Sequence, residues 1–244
     1  MKKIFFHTCE DMHEVKSDSA RLAFASPPYT NNRDGKTLDK QDYLSFIMKT
    51  YSEIFRTLTP GGVLVSLNTD LRDHASYNKG ETKYEGTVWH KHHSIREVCD
   101  GIGYKCFDHK IWVKSFEQNL YRYNFSHIML YSKPGGKILR PHSPKHADGF
   151  GTDVWHLQDS MMRKDSKGFL FRDAIHPEIL RRCIDEFTKE GDLVVSPFAG
   201  SGTVLAVAEE MGRDWAGYEV NKKLETLIKE SIYGPKPKIY SEKK

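Results

Sequence analysis

The sequence predicts a single doubly wound α/β domain, on three observations. A mostly apolar, unalternating segment, Arg21–Ala25, runs straight into Ser26-Pro27-Pro28-Tyr29. Strand-like segments alternate with segments of helical period along the chain, and near residue 200 a strand is followed by a Gly-rich turn that opens a helix. Apolar strands without alternation suit a parallel sheet covered on both faces. Strands alternating with helices suit a sheet wound in both directions. With 244 residues, no internal repeat and no low-complexity block, the chain is expected to fold over residues 1–233 and to end in a flexible tail, 234–244.

The elements follow in order. The first strand is expected at Lys3–His7 and the second at Arg21–Ala25. Leu44, Ile47, Tyr51, Ile54, Phe55 and Leu58 then recur at helical spacing between Asp39 and Leu58, and Pro60-Gly61-Gly62 is the expected stop. Val63–Asn68 is the next strand. Residues 70–93 show no period and are rich in Gly, Lys and His, which reads as a loop. A short helix at Ser94–Ile102 and strands at Tyr104–Val113 and Phe125–Ser132 come next. Pro134-Gly135-Gly136 opens an irregular stretch to about Ala174. A helix then starts with Pro177 at its first position, carries Ile179, Leu180, Cys183, Ile184 and Phe187 on one face, and ends by Gly191. Strand Asp192–Ser196, helix Thr203–Met211, strand Trp215–Glu219 and a helix to about Ile232 complete the pattern.

Composition narrows the class. Hydrophobic residues at 38% and charged residues at 29% describe a globular protein and exclude general disorder. No run approaches the roughly 20 apolar residues of a membrane span, and the N-terminal residues lack the apolar stretch of a signal peptide. A cytoplasmic location is expected, nucleoid-associated, or nuclear in a eukaryote. The net charge of +4 permits a nucleic-acid partner without requiring one. Cys9, Cys99, Cys106 and Cys183 form no CxxC pair and read as reduced thiols.

Two motifs carry chemistry. Pro197-Phe198-Ala199-Gly200-Ser201-Gly202-Thr203 lies between a strand and a helix, where glycines let a ligand approach backbone N–H groups. Glu219 ends the following strand, where a carboxylate can accept both ribose hydroxyls of a nucleoside-like cofactor. The turn lacks the third glycine of GxGxxG and the Gly-Lys-Ser/Thr of a P-loop. In Ser26-Pro27-Pro28-Tyr29, the prolines fix the direction of the Pro27 carbonyl. With the Ser26 hydroxyl, that carbonyl can accept two hydrogen bonds from a planar amino group, while Tyr29 offers a ring for stacking.

Together these motifs resemble the β group of DNA amino methyltransferases, in which [DNS]PP[YFW] precedes FxGxG. Asp153-Val154-Trp155, His176-Pro177, Ile111-Trp112-Val113-Lys114 and His127-Ile128-Met129-Leu130 extend the resemblance over nearly the whole chain. It implies a circularly permuted, Rossmann-like methyltransferase domain with a mostly parallel seven-stranded sheet and one antiparallel strand. It implies S-adenosylmethionine as cofactor, held by Thr8, Cys9, His176, Pro197, Phe198, Ala199, Gly200, Ser201, Gly202, Thr203 and Glu219, and catalysis by Ser26, Pro27, Pro28 and Tyr29. Thr8 and Ser196 stand where the family usually has aspartate.

The implied partner is double-stranded DNA, with a flipped base methylated on its exocyclic amine. SPPY is typical of N4-cytosine enzymes, so N4 of cytosine is the first reading and N6 of adenine the second. An RNA amino methyltransferase and an inactive DNA-binding homologue are further readings. A homodimer and a cognate restriction endonuclease are partners the resemblance allows. Residues 137–175 are the expected target-recognition insert, with Lys137, Arg140, Lys145, Arg163 and Lys164 as DNA contacts, and the 70–93 loop is a second DNA-facing segment. His90, His92 and His93 lack a matching Cys or carboxylate set in the sequence, so no metal is expected.

Overall fold

The computed structural model describes residues 1–28, 39–72, 88–114, 123–139, 151–157 and 161–234. In chain order the strands and helices are β1 (Lys2–Phe5), β2 (Ala20–Ala25), α1 (Lys40–Thr57), β3 (Leu58–Asn68), β4 (Leu71–Arg72), β5 (Val88–Trp89), α2 (Lys91–Ile102), β6 (Lys105–Val113) and β7 (Phe125–Ser132). They continue with β8 (Val154–His156), β9 (Met161–Lys164), β10 (Leu170–Ala174), α3 (Pro177–Phe187), β11 (Leu193–Ser196), α4 (Thr203–Glu210), β12 (Asp214–Tyr218), a 3-10 turn (Lys222–Leu224) and α5 (Glu225–Tyr233).

Among the described residues the main sheet has eight strands in the order β1-β12-β11-β2-β3-β7-β6-β8. β7 pairs antiparallel with both β3 and β6, and every other neighbouring pair is parallel. Seven strands were expected; the eighth is β8, which adds three residues to the edge of β6. Its two outer residues are exposed, and Trp155 between them is buried. Three residues with a single buried side chain are too short a stretch for a period to mark a strand.

The sheet is covered on both faces, as the unalternating strands require. Leu22 and Phe24 of β2 join the core under α3, α4 and α5, while Ala23 and Ala25 join the core under α1 and α2. Helix α1 is capped by Asp39, whose carboxylate accepts the Asp42 N–H at 2.8 Å. It buries Tyr43, Ile47, Tyr51 and Ile54. Helix α3 buries the five residues its period marks, and at roughly 1.5–3 kcal/mol for each large apolar side chain that stripe anchors it firmly. Trp112, Trp155 and Trp215 are core residues, and none of the four cysteines takes part in a disulfide among the described residues.

Three boundaries differ from expectation for identifiable reasons. Helix α1 ends at Thr57, before Pro60-Gly61-Gly62, and that tripeptide lies inside β3. Gly61 has φ +76°, and a Cβ there would meet the Lys137 carbonyl oxygen at 2.3 Å. The tripeptide therefore serves close passage of the 133–137 backbone, which bonds Gly61 N–H through the Lys133 carbonyl at 2.8 Å. Helix α2 begins one turn earlier than its apolar period, at Lys91. The stretch 137–174 contains a hairpin, β9–β10, in addition to β8.

Candidate active site

The winding of the sheet positions the site. From β11 the chain crosses through α4 to β12 on one side; from β2 it crosses through α1 to β3 on the other. The direction of winding therefore reverses between β11 and β2, and ligands of open α/β sheets bind at the carboxyl ends of strands at such a point. The Gly-rich turn leaves β11 there and Ser26-Pro27-Pro28 leaves β2 there. With Val195 level with Ala23, the two motifs start on adjacent strands, about 4.8 Å apart.

The turn is held by its own backbone. Ala199 N–H donates to the Tyr218 carbonyl at 2.8 Å, hooking the turn onto the end of β12. Gly202 is the N-cap of α4 with φ +77°, and it has no side chain to occupy the first N–H groups of the helix. Gly200 has φ +52°, and its missing Cβ faces the Phe171 ring at 3.2 Å. Phe171 belongs to β10, so the hairpin lies over the turn. Glu219 accepts the Gly200 N–H at 3.0 Å through Oε2 and the Asn221 N–H at 2.9 Å through Oε1. Each oxygen keeps a second acceptor site.

The remaining predicted cofactor residues divide. Thr8 Oγ1 donates to Glu10 Oε2 at 3.0 Å, so a carboxylate stands beside the position where aspartate is missing. Cys9 is buried, its thiol 3.7 Å from Thr50 Oγ1 on α1, which makes it a core side chain. His176 caps α3, its Nδ1 accepting the Glu178 N–H at 3.2 Å. The Phe198 ring packs against Phe46 of α1. Ser201 and Thr203 share a 2.8 Å hydroxyl contact. Ser196 is fully buried and its Oγ has no hydrogen-bond partner among the described residues. An orphaned hydroxyl at the strand end, an uncapped helix start and a diol-type carboxylate suit a nucleoside-bearing ligand. Pro27 is buried and Ser26 half-buried; Tyr29 lies outside the described residues.

Residues 20–230 match the model of the N6/N4 methyltransferase family, described as DNA methylase. The chain belongs to this DNA methylase family. Among curated relatives, the methylase is 25% identical to Type II methyltransferase M.MjaI of Methanocaldococcus jannaschii, covering 94% of this chain and 90% of that one. It is also 25% identical to Type II methyltransferase M.BamHI of Bacillus amyloliquefaciens, over 98% of this chain and 62% of that one. Of solved structures, the Thermus thermophilus protein TTHA0409 in complex with S-adenosyl-L-methionine matches with TM-score 0.72 and 24% identity, covering 96% of each chain. The cytosine-N4-specific PvuII DNA methyltransferase matches with TM-score 0.68 and 15% identity, covering 96% of this chain and 93% of that one. These likenesses establish the fold of the methylase.

Two of the residues expected to contact DNA have other surroundings in the structure. Lys137 is exposed but sits against Gly61, at the amino end of β3 and so on the edge opposite the site. The antiparallel run of β7 delivers the chain there. Arg163 is 5% exposed; its Nη1 donates to Ser231 Oγ at 3.1 Å, and Ser231 Oγ donates to the Ser201 carbonyl at 2.7 Å. Burial pulls its guanidinium down to about 10. Arg163 thus ties the hairpin to α5 and the Gly-rich turn. Arg163→Ala is expected to lower stability by about 1–3 kcal/mol in urea unfolding. A phosphate contact would instead reduce the salt slope of DNA binding by about 1, and that slope is expected to stay unchanged. Lys164 is exposed on the hairpin; Arg140 and Lys145 lie outside the described residues. Within the 70–93 segment β4 and β5 pair as a short antiparallel ribbon, and residues 73–87 lie outside the described residues.

One cluster escaped the sequence. Asp70 accepts from His92 Nδ1 at 2.7 Å and from His90 Nδ1 at 3.0 Å, and His127 Nε2 lies 3.7 Å from its Oδ2. Burial alone would raise the Asp70 carboxyl, but His127, His92 and His90 outweigh it and hold the group well below the carboxylate range. His93 stands apart, 3.7 Å from Glu97.

Proposed function

We propose that this protein moves a methyl group from S-adenosylmethionine to the exocyclic N4 amine of a flipped cytosine in DNA, as the modification enzyme of a restriction-modification system. The observation that carries the reading is the placement of Ser26-Pro27-Pro28 and the Gly-rich turn on neighbouring strands at the reversal of winding. The relatives' designation as Type II methyltransferases and the cofactor bound by TTHA0409 support it. The chain order, with β11 supplied long after β2, supports a circularly permuted arrangement of the fold. Duplex DNA is the partner, met by the exposed Lys164 hairpin and the segment following Asp70.

When bound, S-adenosylmethionine supplies a methyl group already activated by its sulfonium. Glu219 would hold the ribose hydroxyls through the second acceptor sites of its oxygens, and the N-terminus of α4 would receive polar groups of the cofactor. The exocyclic amine of cytosine is a poor nucleophile because its lone pair is conjugated into the ring. The Ser26 hydroxyl and Pro27 carbonyl would accept hydrogen bonds from its two N–H groups, which favours a pyramidal nitrogen with its lone pair available for the methyl group. Positioning supplies most of the acceleration. The Ser26 hydroxyl is a weak base, so its role is orientation, and no cysteine nucleophile is required.

The test is incubation with radiolabelled S-adenosylmethionine and duplex DNA of mixed sequence, followed by nucleoside mass spectrometry. N4-methylcytosine is expected. In Ser26→Ala it should fall about 10–100-fold, the loss of one hydrogen bond to the reacting amine, with cofactor affinity unchanged. N6-methyladenine as product would overturn the cytosine assignment and keep the pocket. Methylation of structured RNA in preference to duplex would overturn DNA as the substrate.

A further inference from the structure

Asp70 follows the end of β3, His92 lies in the first turn of α2, and His127 lies near the start of β7. A carboxylate oxygen and one ring nitrogen from each histidine lie within 4.8 Å of one another. Asp70 and His127 are 6% and 8% exposed, and His92 is half-buried. The edge of a tetrahedron around zinc with 2.0–2.1 Å bonds is about 3.3 Å, so modest side-chain rotation brings the three donors into range. His109 Nε2 is 3.0 Å from His127 Nδ1. With an ion bound, His127 would donate through Nδ1 to His109 and turn its Nε2 lone pair from the Asp70 carboxylate to the ion, the arrangement in which metal-ligating histidines are held by an outer partner.

We propose that Asp70, His92 and His127 form a binding site for one divalent transition-metal ion of the zinc class, oriented by His109. The donors are imidazole and carboxylate, the set that suits zinc, nickel or cobalt better than magnesium or calcium, which prefer oxygen alone. The ion ties three separate elements together at the carboxyl edge of β3, the strand next to β2. His90, bonded to the same carboxylate and largely exposed, stands close enough to be drawn in as a fourth ligand. Lys91 is fully buried and electrostatically coupled to Asp70, which opposes a second positive charge. Affinity is therefore expected in the micromolar range, below that of zinc-finger sites.

The full chain without a histidine tag, stripped with chelator, is titrated with zinc chloride by calorimetry and with cobalt chloride by visible spectroscopy. One equivalent of zinc, tetrahedral cobalt bands, and a rise in Tm of about 5 °C at saturating zinc are expected. His92→Gln and His127→Gln should weaken zinc at least tenfold, His109→Gln should weaken it about tenfold, and His93→Gln should leave it unchanged. Circular dichroism of the metal-free variants separates lost binding from lost folding. Absence of stoichiometric zinc on the wild-type chain overturns the proposal, as does undiminished binding in folded His92→Gln and His127→Gln. The cobalt spectrum of the wild-type chain decides by itself should a variant fail to fold: cobalt bound without tetrahedral nitrogen-ligand bands overturns the site.

Discussion

Gly202→Ala is expected to abolish measurable cofactor binding and to destabilise the protein by about 2–4 kcal/mol. Two effects add. A φ of +77° costs a residue with a Cβ about 1–2 kcal/mol, and that Cβ would meet Ile228 Cα at 3.0 Å and Ile228 Cγ2 at 3.1 Å. The first obstacle is backbone, so truncating Ile228 would give no rescue, and the turn itself has to move. Gly200→Ala provides the contrast. Its φ is +52°, but the obstacle is the Phe171 ring at 3.2 Å, a side chain that can swing away. That variant should lose only the conformational part of the stability. Calorimetry with S-adenosylmethionine and urea unfolding read both quantities. A folded Gly202→Ala protein with wild-type affinity would remove the turn from the cofactor site.

Glu219 gives the second large effect. Its carboxylate already accepts two backbone N–H groups and keeps one acceptor site on each oxygen. Glu219→Gln exchanges one oxygen for a donor that faces an N–H group. Affinity for S-adenosylmethionine should fall about 10–100-fold, the range for a charge-assisted hydrogen bond. Glu219→Ala should fall further, because Gly200 also loses its tether. In steady state the loss should fall on KM for the cofactor more than on kcat, since Ser26 and Pro27 are untouched. A kcat loss with unchanged KM would assign Glu219 to the reacting end of the site.

What the sequence disclosed follows from how far each signal reaches along the chain. Strand β2, helix α3 and the turn at 197–203 announce themselves within a dozen residues, by apolar runs, helical period and glycine. Their adjacency followed only from the order of motifs. The strands β8 to β10, three to five residues each, are too short for a period to register. Charge counting registers neither the burial of Arg163 nor the sheet edge at which Lys137 lies. Asp70 and His127 are far apart in sequence, and only the antiparallel register that sets Asn68 beside His127 joins them.

The pairing of β2 with β11 has a consequence for synthesis. Ala25 ends β2 and Leu193 begins β11, 168 residues later. At translation rates of about 5–20 residues per second, β2 waits roughly 10–30 s on the ribosome before β11 exists. Strands β3, β7 and β6 can assemble beside it in the meantime, but its other edge stays open, an apolar template for misassociation. Strand β1 waits longer still, since its neighbour is β12. Ligand binding cannot help the nascent chain, because half of the cleft has not been made. Expression should therefore depend on chaperones that shield strand edges, more than the stability of the finished protein suggests.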